Sequence, residues 1–188
     1  MERFKPRTHL IGERIVLTQR DEAHNEEMWE AVEESRSFIR EYLFWVDDTK
    51  DFKDVCKATQ MFYKYWEDDV EWAYNIYDQQ NHTLLGCIGV HRINFLNQSA
   101  ELGYWLRVSK TKQGYMKEAI EVIEKELFEH GIHRISICCD VNNKNSSNTA
   151  KRAGYELESI AKEAIYHYSG LHDLETYVKF SPFPIKGF

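Results

Sequence analysis

The chain has 188 residues, 43% of them hydrophobic and 29% charged, a composition that predicts one soluble globular domain, spanning residues 1–188, with a core. Its formal net charge of -7 argues against nucleic-acid binding, which depends on clustered lysine and arginine, and no apolar run approaches the ~20 residues that span a bilayer. The N-terminus has no secretory signal, and the four cysteines and eight histidines lack metal-site spacing. We therefore expect a cytoplasmic protein with reduced thiols, no membrane association and no metal site.

The first half of the chain predicts helices after a short strand. We expect a strand at 14–18, a helix from 21 to about 34, an aromatic amphipathic segment at 37–46, and a further helix capped by residues 47–49. The last helix is indicated by one apolar stripe, formed by Val55, Ala58, Phe62 and Tyr65.

The second half predicts mostly strands. These lie at 72–77, 84–90, 90–95, 100–108, 134–140, 155–160 and 174–180, with helices at 115–129 and 145–153. Antiparallel hairpins that precede a strand–helix–strand unit indicate a mixed α/β (α+β) fold.

Residues 101–128 run from an aromatic strand through a polar loop into a helix. Ile120, Ile123 and Leu127 recur at helical spacing, and Gly114 ends the loop. The first N–H groups of a helix have no partner inside it, and the helix dipole favours an anion there, so a phosphate-bearing cofactor would fit. The alternative is a core helix after an ordinary turn.

Two segments together resemble the GNAT superfamily of acetyl-CoA-dependent N-acetyltransferases. The first combines residues 100–106 with 113–119, and the second is 143–158. They are most similar to the RimL/RimJ-like branch, which acetylates ribosomal-protein N-termini. Residues 168–174 and the pair Phe44-Trp45 resemble the same branch. The resemblance covers about residues 10–180. It implies a central mixed, mostly antiparallel sheet with flanking helices and one splayed strand pair.

The resemblance also implies where acetyl-CoA, the co-substrate, would bind. Its pantetheine arm would lie between the strands at 100–108 and 134–140. The residues implied are Leu106, Arg107 and Val108 for the arm, then Lys112, Gln113, Gly114, Tyr115 and Met116 for the pyrophosphate, with Asn143, Asn148 and Lys151 facing the cofactor from the other side.

Two positions depart from the family pattern. Lys112 stands where the phosphate loop usually has glycine, and it either adds a cation to the phosphates or crowds the loop; we favour retained binding. Ala150 stands where many members carry a tyrosine. Within the RimL-like branch a serine takes the place of that tyrosine as acid, and Ser146 matches it.

Acyl transfer to an amine requires a proton acceptor, an oxyanion site and a donor for the departing thiolate. Glu101 is the first candidate base, with a solvated strand glutamate as the alternative, and Glu163 or water remains a further possibility. Backbone N–H groups near residues 106–108 would hold the oxyanion. Ser146 is the candidate thiolate partner, and a plain helix N-cap is its alternative.

Four aromatic residues are candidates for the acceptor groove, with core packing as the alternative for each: Phe38, Tyr42, Trp45 and Tyr166. The expected activity is acetyl transfer from acetyl-CoA to a protein N-terminal amine. The rivals are acetylation of a small amine such as a polyamine, amino sugar or antibiotic, and a catalytically silent CoA-binding protein. The apolar segment 180–185 would pack either on its own domain or on a partner, and the second alternative implies a homodimer.

Overall fold

The computed structural model describes residues 3–184 of the protein. The centre of this part of the chain is one eight-stranded sheet. The strands are β1 (His9–Ile11), β2 (Ile15–Gln19), β3 (Trp72–Asp78), β4 (Leu84–Asn94), β5 (Ser99–Leu106), β6 (Arg134–Asp140), β7 (Glu156–His167) and β8 (Gly170–Phe180). Their spatial order is β1-β2-β3-β4-β5-β6-β8-β7. Neighbours are antiparallel except β5 and β6, which are parallel. This confirms the mixed, mostly antiparallel sheet.

Within the described residues, five α-helices cover the two faces of the sheet: α1 (Asn25–Ile39), α2 (Trp45–Asp48), α3 (Phe52–Glu67), α4 (Tyr115–Glu129) and α5 (Lys144–Arg152). Successive residues of a strand point to opposite faces, and in β4 Ile88 packs with α4 and α5 whereas Cys87 packs against the core of α1 and α2. The sheet therefore separates a larger core, under α4 and α5, from a smaller one, under α1, α2 and the start of α3.

Most predicted elements are present, and the differences are local. Helix α3 begins after Asp51 rather than at the predicted cap 47–49: Asp51 accepts the N–H of Asp54, and Asp54 accepts the N–H of Asp51, which forms a capping box. The predicted segment 37–46 divides between the end of α1 and the short α2. Strand β1 was not predicted, and β7 and β8 form a hairpin longer than the two predicted strands.

Two further sequence-based expectations concern membrane-spanning helices and the apolar C-terminal segment. Within residues 3–184, none of the helices has the length and apolar character that a bilayer crossing requires. The apolar segment proposed for dimer contact ends at Ile185, which lies outside the described residues, whereas Phe180 and Phe183 are about half exposed.

Candidate active site

A gap opens between β5 and β6. The two strands pair only where Ser99 to Glu101 face Arg134 to Ser136, and β5 then continues without further pairing to β6. The N–H of Arg107 donates to the carbonyl of Leu85 on β4 (2.8 Å). Because hydrogen-bonding directions alternate along a strand, the backbone groups of Leu106 and Tyr104 point into the gap. This is the splayed strand pair that the resemblance implied.

The N-terminus of α4 lies directly after this strand. Gly114 precedes the helix with φ +85°, and Lys112 has φ +61°, a left-handed conformation that glycine adopts without strain. Arg14 of the β1–β2 loop supports the turn, since it donates to the carbonyl of Gln113 (3.1 Å) and pairs with Glu118 (2.9 Å). Lys112 and Gln113 themselves are exposed.

The side chains of Tyr115 and Met116 are occupied elsewhere. Met116 is buried in the larger core, and the Tyr115 hydroxyl donates to Asp78 (3.2 Å) beneath the guanidinium of Arg14. The first hydrogen bond within α4 runs from Glu118 to Gly114, so the preceding amides have no helical acceptor. Only the backbone of Tyr115 and Met116 is therefore suited to an anion.

The amides of Arg107 and Val108 do not match the sequence-based hypothesis. Arg107 uses its N–H in the sheet, and Val108 donates to the hydroxyl of Ser35 on α1 (3.0 Å). The Arg107 guanidinium pairs with Glu34 (2.7 Å), and contacts from Ser109 and Arg107 lower the pKa of that carboxyl. These two residues therefore anchor β5 to α1, and of the three predicted positions Leu106 alone directs its backbone to the gap.

A pair of hydroxyl groups lies at the gap. Ser146 on α5 has its Oγ 3.2 Å from the hydroxyl of Tyr104 on β5. Burial raises the pKa of Tyr104, so this phenol is protonated at neutral pH. The N-cap of α5 is Asn143, whose side chain accepts the N–H of Ser146 (3.1 Å). The cap alternative for Ser146 is therefore wrong, and Tyr104 is a candidate that the sequence analysis missed.

Two further candidates on α5 have side chains at the surface. Asn148 and Lys151 are exposed, and the Lys151 ammonium lies 5.5 Å from the centre of the Tyr177 ring. Ala150, at the position where related enzymes carry tyrosine, is fully buried against the sheet.

Glu101 lies on the opposite face of β5 from Tyr104, and its side chain is only 12% exposed. It accepts a hydrogen bond from Arg92 (3.1 Å) and from the thiol of Cys138 (3.4 Å), and His91 Nε2 is 3.8 Å away. Glu101 is thus a partnered carboxylate and not the solvated one of the alternative. Glu163, by contrast, is an exposed residue at a bulge of the edge strand β7, with φ +48°.

The four predicted groove residues lie at separate places, and Trp45 is the one that packs against the face of β5 that carries Glu101. The ring of Trp45 lies 5.8 Å from Trp105 of β5, and the Tyr42 hydroxyl donates to the carbonyl of Asn142 (3.1 Å) just before α5. Phe38, at the end of α1, is 38% exposed. Tyr166 is 66% exposed. Its neighbour His167 points to the face of Phe44, so Tyr166 points to the opposite face, because side chains alternate along β7.

The chain is similar to a known protein family and to a characterised bacterial enzyme. Residues 14–156 match the family model described as acetyltransferase (GNAT) domain. A curated relative, the ribosomal-protein-serine acetyltransferase of Escherichia coli (strain K12), is 25% identical over 170 residues, which cover 90% of this chain and 94% of that protein.

Two solved structures share the fold. One is a RimL ribosomal L7/L12 α-N-protein acetyltransferase in complex with coenzyme A, with a TM-score of 0.87 at 24% identity, covering 92% of this chain and 97% of that one. The other, from Salmonella typhimurium, modifies the N-terminal serine of ribosomal protein L7/L12; its TM-score is 0.81 at 25% identity, covering 89% of this chain and 95% of that one. The family match spans most of the chain and contains the splayed strands, the turn before α4 and Ser146, so the protein belongs to the GNAT acetyltransferase family and is an acetyl-CoA-dependent N-acetyltransferase.

Proposed function

We propose that this enzyme transfers the acetyl group of acetyl-CoA to the α-amino group of a protein N-terminus, with a ribosomal protein as the expected class of acceptor. The observation that carries the reaction type is the Tyr104–Ser146 hydroxyl pair at the gap between β5 and β6. The turn before α4, which follows β5 along the chain, is the proposed anion site. The acceptor class is supported by the relative from Escherichia coli, which aligns over nearly its whole length.

Acetyl-CoA would bind along the gap. The pyrophosphate would contact the amides at the start of α4 and the exposed cations of the loop, Lys112 among them. The pantetheine arm would pair with the backbone of Leu106 as an added strand does. Gln113, Asn143, Asn148 and Lys151 stay candidates for outer contacts, since Gln113 belongs to the turn before α4 and the other three belong to α5 or its N-cap.

The transfer would be direct, from thioester to amine. The amine nitrogen attacks the carbonyl carbon, the carbon–sulfur bond breaks, and the leaving thiolate takes a proton from the Tyr104–Ser146 pair. A covalent acetyl-cysteine route is disfavoured, since burial raises the pKa of Cys139, next to this pair on β6, to about 11 and keeps it a thiol.

The amine would enter from the face that carries Trp45 and Trp105. An α-amino group has a pKa of about 7.7–8.0, so a large fraction is already neutral at pH 8 and a weak base suffices. We assign this role to Glu101, acting through water, because Arg92 (3.1 Å) and the thiol of Cys138 (3.4 Å) hold its carboxylate on this face of β5.

The carboxylates near this entrance favour a peptide over a polyamine. Asp47 is paired with Arg40 (2.6 Å) and contacts Tyr168, and Glu101 is paired with Arg92. A polycation would have to displace these internal partners, whereas a single α-amine would not.

The proposal is tested by thiol release from acetyl-CoA with matched acceptors. A lysine-free peptide with a free N-terminal serine should stimulate release, and the same peptide with a blocked N-terminus should not. Release that rises only with polyamines or amino sugars would move the acceptor class to small amines. Acetyl-CoA binding without release to any amine would support a silent CoA-binding protein.

A further inference from the structure

Three potential metal ligands converge beside the entrance, on elements far apart in the sequence. Asp140 ends β6, and His167 and His172 flank the turn between β7 and β8. Asp140 Oδ2 lies 2.5 Å from His172 Nδ1 and 3.0 Å from His167 Nε2, and all three donor atoms lie within 4.8 Å of one another. Asp140 is 2% and His167 3% exposed, so the cluster is built into the fold.

His167 has no hydrogen-bond partner for either ring nitrogen, although it is buried. Its ring packs against Phe44 (5.1 Å between centres) and the edge of Tyr42 (5.8 Å), and Nε2 approaches Asp140 without the geometry of a hydrogen bond. A buried polar group without a partner destabilises the folded state, so an unpaired imidazole at this position indicates a ligand.

The outer contacts leave Asp140 Oδ2 and His172 Nδ1 facing each other across the cluster, where they are paired at 2.5 Å. The N–H of Asn142 donates to Asp140 Oδ1 (2.6 Å), which leaves Oδ2 facing the histidines. Ser169 Oγ lies 2.7 Å from His172 Nε2, so a proton on Nε2 can be donated to Ser169 and Nδ1 is left as the ligand atom. Such secondary hydrogen bonds are the usual support of metal-binding histidines.

We propose that Asp140 Oδ2, His167 Nε2 and His172 Nδ1 bind one divalent transition-metal ion of the zinc class. Two imidazoles and one carboxylate suit Zn²⁺ or Co²⁺, with bonds of about 2.0–2.2 Å and water as a fourth ligand. Tetrahedral ligation at that length separates the donor atoms by about 3.3 Å. Asp140 Oδ2 would move away from both histidine nitrogens, and those two nitrogens, which lie within 4.8 Å of each other, would take up the same separation. The 23% exposed side of His172 provides access for the ion and water.

The ion would join the β7–β8 turn to β6. That turn carries Tyr168, which contacts Asp47 of α2, so the metal would fix one wall of the entrance. The site was not predicted because its ligands, at positions 140, 167 and 172, have none of the short spacings by which metal sites are recognised in a sequence. The proposal does not depend on the identity of the acceptor.

The test is titration of the chelator-treated, dialysed protein with Co²⁺, read by visible absorption and by metal analysis after gel filtration. We expect one ion per chain with a tetrahedral-type spectrum, and displacement by Zn²⁺. His167→Gln and His172→Gln should abolish the spectrum, and Ser169→Ala should weaken binding about 10–100-fold. The control is His24→Gln, which breaks a surface histidine–aspartate pair (2.8 Å to Asp21) and should bind as the parent does.

The proposal is overturned if the parent protein binds no more Co²⁺ than the double variant His167→Gln/His172→Gln. The three side chains would then form a hydrogen-bonded cluster that holds no metal. Equal affinity in the parent and His172→Gln would overturn it as well. Circular dichroism checks that each variant is folded. If His167→Gln is not, the partly exposed His172 and the exposed Ser169 still decide the outcome.

Discussion

Replacing Lys112 with glycine should stabilise the fold and weaken cofactor binding at the same time. Lys112 has φ +61°, a left-handed conformation that costs an ordinary residue about 1–2 kcal/mol and glycine almost nothing. Glycine loses more conformational entropy on folding, which offsets about 0.4–1 kcal/mol. The net gain for Lys112→Gly is about 1 kcal/mol. At this chain length, that gain corresponds to a rise in Tm of about 2–4 °C.

The same change removes a positive charge from the proposed pyrophosphate site. An exposed charge pair contributes up to about 1 kcal/mol, so the Kd for CoA should rise about fivefold at low salt. The difference should shrink at high salt because the interaction is screened. Calorimetry measures the Kd, and thermal unfolding of the same samples measures the stability.

Lys112→Asn is the matched variant, since asparagine tolerates the left-handed conformation and is neutral. It should lose the same affinity as Lys112→Gly. Lys57→Gln, on the exposed side of α3, removes one charge outside the loop and should leave the Kd unchanged. If Lys112→Gly instead binds CoA more tightly than the parent, the side chain crowds the loop and our assignment of its charge is refuted.

Three further predictions concern the reaction and the sheet. Tyr104→Phe should lower kcat about a hundredfold and leave the Kd for acetyl-CoA unchanged, because the lost hydroxyl protonates the leaving thiolate. Steady-state rates measure kcat and calorimetry measures the Kd. An unchanged kcat would exclude this role for Tyr104. Gly86→Ala should lower the free energy of unfolding by at least about 2 kcal/mol, since a Cβ at Gly86 would lie 2.2 Å from the carbonyl oxygen of Trp105. Chemical denaturation measures this loss. A variant as stable as the parent would contradict the prediction. Burial raises the pKa of Glu71 despite the nearby Arg20, so the ionised form is penalised in the folded state. Glu71→Gln should therefore be stabilising at pH 7–8, and unfolding measured against pH should show the gain disappear as the pH falls toward about 4.5; a constant or reversed difference would refute the sign.

Periodic elements were predicted well because their signal is local. The limits of α4 and β6 agree with the predicted 115–129 and 134–140, since both elements bury a regular apolar face. Strand β7 was predicted too short because its first nine side chains are exposed on both faces, so no apolar alternation marks them. The cap of α3 was misassigned because several aspartates in this segment are suitable caps. The capping box that Asp51 forms with Asp54 identifies the cap only in the folded helix.

The candidate site depended more on tertiary contacts. Ser146 was a candidate from the resemblance, but its partner Tyr104 comes from a strand some forty positions earlier, and only the packing of α5 on β5 brings the hydroxyls together. The Arg107 and Val108 amides were assigned to the cofactor because the sequence does not reveal that α1 approaches the end of β5 and supplies Ser35 as an acceptor. Both differences arise from contacts between distant segments, which one sequence without tertiary information does not contain.

The central claim is tested most directly by locating the acetyl group on a peptide that offers two amines. The substrate is a serine-initiated peptide with one internal lysine, treated with acetyl-CoA and the enzyme and then sequenced by tandem mass spectrometry. We predict that the acetyl group is on the α-amine alone, and that Ser146→Ala lowers the rate without changing its position. Acetylation of the lysine, or of neither amine while polyamines are acetylated, would contradict the proposed function.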